Sequence, residues 1–405
     1  MSDTIILLIF LIFYSIIGAI VTIIIEFLNG EGLSFHHFWF TNTLMFLAEI
    51  LALLLYYITT HIRKRNQKLE FEENQEQSKE LEEIEINPQN KKVLLFFIPS
   101  TFDTIATFIS DIGVSLLPGS LYIMLKGLTI ILVTCFISKR FLKDNYTCDH
   151  WISIIFAFIG FIILGFSGFF FQSNDEKDKK KSGDIAIGIG ATFVAMVFQS
   201  MQFCFEEFYI RKYSLQPFLC IGFEGVFGFI FNSILCIIFY FIKCGKDPGK
   251  FIKDLCTQDE HNWRMENVIF AFQQISENKT ILILIIFLFI CLFPYNVCGI
   301  SINKYGGALT RSLIENFKSF LVWLFFLIPF KGNLHEDFNW LRLLGLIFIL
   351  GSIIIYFGVF RFEERLMIRK KMKALSYIDD LDEGIGDFSK SDINNTSDII
   401  DKIEE

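Results

Sequence analysis

Residues 309–318 read LTRSLIENFK and open an apolar run that ends at Phe330. A similar segment, LYIMLKG, lies far upstream at residues 121–127. A polar link and a tryptophan follow each segment: Trp151 comes 25 residues after Lys126, and Trp340 comes 25 residues after Glu315. The chain therefore carries two copies of one unit, with a cation and an anion at matching positions inside candidate membrane spans.

Charge inside a membrane span costs about 3 kcal/mol on insertion scales, so such a side chain usually faces a cavity or a partner. We therefore predict that Lys126 and Glu315 line a solute-binding cavity, together with Asn316, Asn296 and Tyr122. Two structural alternatives stay open for the charged pair. It is either an ion pair that only holds two helices together, or Lys126 reaches out to the membrane interface.

Composition places the chain in a membrane. It has 405 residues, of which 53% are hydrophobic and 50 are Phe. Apolar runs of roughly 20 residues, enough to cross ~30 Å of hydrocarbon, recur along it. The net charge of −8 lies in the loops and the C-terminal tail, and no basic patch predicts a nucleic-acid partner. We predict an all-α membrane protein whose partners are a small-molecule solute and membrane lipid, with a homodimer as an option.

The apolar runs divide into five predicted spans in each half of the chain. In the first half they lie at residues 4–26, 38–60, 93–116, 120–138 and 151–171. In the second half they lie at residues 185–210, 218–242, 280–302, 308–330 and 340–360. Pro99, which is expected to interrupt the third span, matches Pro294 in the eighth, and Glu49 matches Glu224. Because five is odd, the halves enter the membrane in opposite senses, which predicts ten transmembrane helices as two inverted five-helix repeats.

The predicted domains follow this division. The first repeat covers residues 1–171 and includes a polar cytoplasmic link at 61–92. A charged linker at 172–183 leads into the second repeat at 184–362, which includes a polar loop at 243–279. An acidic, disordered tail is predicted at 363–405. Because Lys and Arg are more numerous in the loops on the side of the termini, both termini are predicted to be cytoplasmic.

Four acidic residues within the spans are candidates for coupling transport to proton movement: Glu49, Glu224, Asp103 and Asp111. Burial in an apolar environment favours the neutral form of a carboxyl group, so reversible protonation is expected first of Glu49 and Glu224. Gly222, Gly225 and Gly228 surround Glu224 at a spacing of three, which predicts close packing against another helix.

The cysteines give no sign of a metal site. Nine are present, but none has a CxxC or Cys/His spacing, so no metal or cofactor is predicted. Those in the apolar spans are predicted to be small core residues. Cys244 and Cys256 share the 243–279 loop, where a disulfide is an alternative if that loop is lumenal. Glu206 and Glu207, near the end of the sixth span, are expected in a solvated interfacial position.

Catalytic motifs are not found in the sequence. It contains no HExxH, no GxSxG and no P-loop, so we predict that the chain is neither an enzyme nor an ATP-driven pump.

Several short motifs resemble a known family. They are Leu125-Lys126-Gly127, Glu206-Glu207, the stretch EGVFGF at residues 224–229, and Leu343-Leu344-Gly345. Their order and spacing are similar to those of the drug/metabolite transporter superfamily, with its EamA-like members. They are most similar to the F group of solute carrier family 35, whose broader family includes nucleotide-sugar transporters. The resemblance implies ten helices in inverted repeats, a central cavity and alternating access, with the family's basic residue at Lys126 and its acidic one at Glu315.

Together these features predict a secondary transporter that moves a small organic solute across an intracellular membrane by alternating access, with antiport as one mode. Lysosomal, vacuolar and Golgi membranes rank ahead of mitochondrial ones. A non-transporting membrane adaptor, which recruits partners through its tail and loops, is the alternative from another class.

Overall fold

The computed structural model describes residues 3–30, 33–73, 92–117, 119–143, 146–171, 182–244, 256–258, 263–328 and 338–357. These residues are largely helical. The helices are α1 (Asp3–Asn29), α2 (Phe38–Glu73), α3 (Phe97–Leu116), α4 (Gly119–Ile137), α5 (Cys148–Phe171), α6 (Ser182–Tyr213), α7 (Pro217–Phe241), α8 (Val268–Glu277), α9 (Lys279–Tyr305), α10 (Ala308–Phe326) and α11 (Trp340–Tyr356). The predictions for the middle of the polar link, most of the charged linker and the tail lie outside the described residues.

Eight helices in the described part of the chain, α1 to α7 and α9, are long and apolar enough to cross a membrane. The two remaining predicted spans correspond to α10 and α11. Helix α10 places Arg311, Glu315 and Lys318 within 19 residues, whereas α11 is apolar but only 17 residues long. Large apolar side chains such as Phe136 and Ile283 are exposed on the outer surface, as lipid contact requires. The chain is an all-α membrane protein.

Two helix ends differ from the predicted spans. Helix α2 continues beyond Thr60 to Glu73. Pro99 does not interrupt its helix, because a 3-10 turn at Val93–Phe96 precedes α3 and Pro99 falls in the first turn of α3. A proline is tolerated there, since a backbone N–H in the first turn has no intrahelical acceptor. Pro294, in contrast, lies inside α9.

The two halves of the chain are interleaved. The most extensive contacts join α1 to α9, α2 to α7, α3 to α6, and α5 to α11. Further contacts join α4 to α6, α10 to α1, and α4 to α10. Each of these pairs takes one helix from the first half of the chain and one from the second. The space between the halves is therefore lined by both.

Helices α2 and α7 approach closely at the three predicted glycines. A Cβ atom added at Gly225 would lie 2.6 Å from Glu49 Cβ and 2.8 Å from the carbonyl oxygen of Phe46. Gly222 and Gly228 meet Leu53 and Phe46 in the same way. The glycines allow the two backbones to pack directly, and this places Glu49 beside α7.

We expect Gly225→Ala to lower the melting temperature of the purified protein, because overpacking typically costs about 1–3 kcal/mol. The matched control is Gly190→Ala in α6, where an added Cβ would meet no atom within 4 Å. That change should be neutral or slightly stabilising, since Ala favours a helix over Gly. Equal melting temperatures for the two variants would contradict the packing described for α2 and α7.

The 243–279 loop, which was predicted only as a polar segment, contains two short strands and a helix in its described part. The two-residue strand β1 (Thr257–Gln258) pairs antiparallel with β2 (Trp263–Arg264), and α8 follows. Cys244 and Cys256 form a disulfide, which the sequence analysis gave as an alternative for these two cysteines. The cysteines predicted to be core residues are buried or, for Cys291, partly buried.

A buried pair holds this loop to the connection between α1 and α2. His37 Nδ1 lies 2.7 Å from Glu266 Oε1, and both side chains are inaccessible to solvent. The backbone N–H of Phe40 donates to Glu266 Oε2 at 3.3 Å, and Thr257 donates its hydroxyl to the carbonyl of His36. The folded loop is thus part of the protein core at this end of the helices.

We expect His37→Ala to destabilise the protein by about 2 kcal/mol, because Glu266 would stay buried with one partner fewer. Thermal unfolding in detergent measures this loss. His61→Ala is the control, since His61 is exposed on α2. If both variants unfold together with the wild type, the loop is not anchored through His37.

Candidate functional site

Helix α10 projects three charged side chains between the two halves of the chain. Arg311, Glu315 and Lys318 follow one another at spacings of four and three residues, so they share one helix face. This helix packs against α1, α4, α6 and α9. The charged face therefore lies among helices of both halves.

Glu315 is surrounded by partners. Its Oε1 forms an ion pair with Lys318 Nζ, and its Oε2 accepts hydrogen bonds from Tyr14 at 2.5 Å and Tyr295 at 3.0 Å. The rings of Tyr14 and Tyr295 stack with their centroids 4.6 Å apart. Lys318 also donates to the Tyr295 hydroxyl at 2.8 Å. The Glu315 and Lys318 side chains keep 11% and 18% of their surface exposed, so the pair is not fully enclosed by protein.

Lys126 lies near Glu315 without forming an ion pair with it. Its side chain is half-buried on α4, and its Nζ is 6.0 Å from the ring centroid of Tyr122. It is close enough to interact electrostatically with both Glu315 and Asp111. The ion-pair partner of Glu315 is Lys318, which our sequence reasoning missed although the i, i+3 spacing is visible in the sequence.

The remaining predicted binding residues take separate positions. Asn316 is buried where α10 meets α4, and its Nδ2 donates to the carbonyl of Ser312 at 2.8 Å. Asn296 Nδ2 donates to Glu49 Oε1 at 2.7 Å, which places Asn296 in a different group of side chains. The Tyr122 hydroxyl lies 2.6 Å from Ser110 Oγ and so joins α4 to α3.

Three of the predicted coupling residues belong to a buried acidic cluster, which comprises Glu49, Asp103, Glu206 and Glu224. These carboxyl groups interact electrostatically with one another across α2, α3, α6 and α7. Gln202 Nε2 donates to Glu224 Oε1 at 2.9 Å. Among the described residues, Glu49 Oε2 and Glu224 Oε2 are buried and have no hydrogen-bond partner. Asp111, the fourth candidate, lies apart from the cluster and near Lys126.

Arg311 is the cation of this cluster. Its Nη1 lies 2.6 Å from Glu206 Oε2, which also accepts a hydrogen bond from Asn303 at 2.8 Å. The guanidinium carbon lies 4.1 Å from the ring centroid of Phe203. Our sequence reasoning assigned no role to Arg311, because its partner lies 105 residues away in the chain.

Glu206 and Glu207 are both fully buried, so the expected solvated interfacial position is wrong. Glu207 accepts a hydrogen bond from the backbone N–H of Ala308 at 2.6 Å and pairs with Arg211. A carboxylate at this place is stabilised by the N-terminal end of α10, where backbone N–H groups lack intrahelical acceptors. Burial of the two carboxyl groups is therefore possible because α10, α9 and α6 itself supply their partners.

The two repeated units differ in burial. Every residue from Ala308 to Ile314 at the start of α10 is buried. In the matching stretch of α4, Leu121 is buried and the residues from Tyr122 to Leu125 are half-buried. The beginning of α10 is therefore more deeply packed than the matching part of α4.

Charged side chains buried among apolar helices, between two interleaved halves, are typical of membrane transporters. The sequence profile of the nucleotide-sugar transporter family matches residues 3–215. The chain belongs to this family. It is a transporter and not an enzyme.

Similar proteins agree with this assignment. Solute carrier family 35 member F6 of Homo sapiens is 24% identical over 329 residues, which is 81% of this chain and 80% of the human protein. An uncharacterised protein of Schizosaccharomyces pombe is 25% identical over 286 residues, covering 69% of this chain and 79% of its own. The predicted resemblance to the F group of solute carrier family 35 is confirmed.

One solved crystal structure of a protein covers 88% of this chain and 96% of its own length at a TM-score of 0.55 and 12% identity. At this identity the likeness concerns the fold alone. Within the described residues, no three His, Cys, Asp or Glu side chains are grouped so as to hold a metal ion.

Proposed function

We propose that this chain is a secondary transporter that moves a small organic solute across an intracellular membrane by alternating access. The observation that carries the proposal is the half-buried group Lys126, Glu315 and Lys318, held inside the membrane between the two halves. Charges are retained in such a place when they face a solute pathway. Tyr122 and Asn316 flank this group, whereas Asn296 binds Glu49 in the acidic cluster.

The pattern of helix packing supports ten helices in two inverted five-helix repeats. In such an arrangement α1 to α5 correspond in order to α6, α7, α9, α10 and α11. When each helix is replaced by its counterpart in the other repeat, the α1–α9 pair becomes α6–α3, and the α4–α6 pair becomes α10–α1. The α2–α7 and α5–α11 pairs exchange into themselves. All these pairs are among the observed contacts, as a two-fold axis in the membrane plane requires.

Alternating access requires that one side of the site is closed at a time, and we assign the closed side to a gate of Glu206, Arg311, Asn303 and Glu207. These side chains lock α6, α9 and the start of α10 together through the short contacts given above. The half-buried start of α4 then faces the open side. Rocking of one repeat against the other would break this lock and close the opposite end.

The disulfide supports an orientation for this gate. Disulfides form in oxidising compartments, so we assign the Cys244–Cys256 loop to the lumen. The polypeptide then crosses the membrane through α9, which puts the start of α10 and the gate on the cytoplasmic side. Both termini are cytoplasmic in this arrangement, as the distribution of Lys and Arg also favours.

The acidic cluster suits a coupling role. Four buried carboxyl groups interact electrostatically with Arg311, so movement of a proton at Glu49 or Glu224 would change the balance of charge beside the gate. We assign proton exchange to these two residues, with Asp103 in support. Asp111 is placed instead on the solute pathway beside Lys126.

Uptake into proteoliposomes that contain the purified protein tests the proposal. Lys126→Ala should lose most of its flux while keeping its melting temperature, because Lys126 forms no structural ion pair among the described residues. Lys279→Ala is the control, since Lys279 is exposed at the start of α9. Wild-type flux in Lys126→Ala, together with a cellular phenotype that depends only on residues 363–405, would instead favour a membrane adaptor.

A further inference from the structure

The charged residues of α3, α4 and α10 are balanced in number. Helices α3, α4 and α10 carry three acidic and three basic side chains: Asp103, Asp111, Lys126, Arg311, Glu315 and Lys318. Asp103 and Arg311 are buried in the acidic cluster. The other four are half-buried and consist of two carboxylates and two ammonium groups. Together these four side chains carry no net charge.

Two of these four side chains form an ion pair with each other. Glu315 is paired with Lys318, and its second oxygen accepts from Tyr14 and Tyr295. Neither charge of this pair is available to a ligand without breaking several contacts. The Glu315–Lys318 pair thus lines the proposed pathway without offering a free charge to the solute.

Asp111 and Lys126 have no such partners. They attract each other electrostatically, but they form no ion pair in the described structure. Asp111 Oδ2 is buried and accepts no hydrogen bond, although its side chain as a whole is partly accessible. A hydrogen bond between Tyr122 and Ser110 joins the two helices that carry them. A carboxylate and an ammonium group on adjoining helices are therefore close enough to attract each other without forming an ion pair, and Asp111 Oδ2 has no hydrogen-bond partner in the described structure.

We propose that the solute is a zwitterion of the amino-acid type, whose carboxylate binds Lys126 and whose ammonium group binds Asp111. This inference rests on the transporter function proposed above and adds the substrate class. Each contact would be a charge-assisted hydrogen bond, the strongest kind that side chains form. A nucleotide sugar fits less well, because its diphosphate brings two negative charges to one unpaired ammonium group and a nearby carboxylate.

Binding to the purified full-length protein tests this assignment with ligands that differ only in charge. The probes are the twenty amino acids, their amides, which are cations, their N-acetyl derivatives, which are anions, and UDP-N-acetylglucosamine. We expect at least one amino acid to raise the melting temperature. Its amide and its N-acetyl derivative should bind roughly tenfold more weakly or worse, because each lacks one charged partner.

Two variants make the expected pattern specific. Lys126→Gln should weaken binding of the amino acid about tenfold or more and remove the preference over the amide. Asp111→Asn should weaken it similarly and remove the preference over the N-acetyl derivative. Glu277→Gln, an exposed change on α8, is the control and should bind as the wild type does.

The assignment is overturned if no amino acid raises the melting temperature, or if binding survives both substitutions unchanged. Binding and uptake of UDP-N-acetylglucosamine alone would overturn the zwitterion and leave the proposed transporter function standing. Binding of an amino acid with no flux in proteoliposomes would support the site and contradict transport.

Discussion

Arg311→Leu should abolish solute flux and destabilise the protein by about 4 kcal/mol, because Glu206 would remain buried without a counter-charge. The substitution is severe because the Arg311 and Glu206 side chains are only 9% and 1% exposed, so water does not replace the lost partner. Thermal unfolding in detergent and uptake in proteoliposomes measure the two effects. A wild-type melting temperature in Arg311→Leu would show that the pair does not hold α10 against α6.

The double variant Glu206→Gln/Arg311→Gln separates stability from gating. Removing both charges of a buried pair costs far less than removing one, so most of the lost stability should return. The contact that holds α6 to α10 would still be missing. Solute transport should therefore become slower than in the wild type, or lose its coupling to proton movement. If the double variant transports as the wild type does, the contact is a structural ion pair and not a gate.

Glu315→Gln is the second change with a large expected effect. It removes the charge partner of Lys318 and weakens the acceptor of Tyr14 and Tyr295, in a place where those groups are only partly solvated. We expect a loss of about 2 kcal/mol in stability and at least about tenfold in transport efficiency. Solute affinity and maximal rate, determined separately, are the informative measurements.

The two large effects should differ in kind. Glu315 lines the half-buried pathway, so its substitution should raise KM for the solute. Arg311 belongs to the proposed gate, so a partial variant such as Arg311→Lys should lower the maximal rate with a smaller change in KM. Equal changes in KM and maximal rate for both variants would contradict the assignment of Glu315 to the pathway lining and of Arg311 to the gate.

Much of the fold follows from the sequence, because a membrane imposes one length and one polarity on every span. The runs of apolar residues therefore located the helices well. The spacing of Lys126 and Glu315 from their tryptophans identified two related units. Helix α10 was located in the same way, and the charges within its apolar run predicted that it faces a cavity or a partner.

The candidate site was predicted less completely. Lys318 stands three residues from Glu315, and this local signal was present in the sequence. The contact of Arg311 with Glu206 was not, because it depends on how α10 crosses α6. Apolar periodicity does not encode such a crossing. The same holds for His37 and Glu266, which meet only because the 243–279 loop folds back onto the connection between α1 and α2.

Counterflow in proteoliposomes tests alternating access most directly. Vesicles containing the purified protein are loaded with unlabelled cell metabolites and diluted into a trace of the isotope-labelled mixture, and the labelled solutes inside are identified by mass spectrometry. We predict that at least one labelled solute accumulates transiently above its equilibrium level, and that Lys126→Ala vesicles lose this overshoot. No solute exceeding the level in protein-free vesicles would contradict transport by this chain.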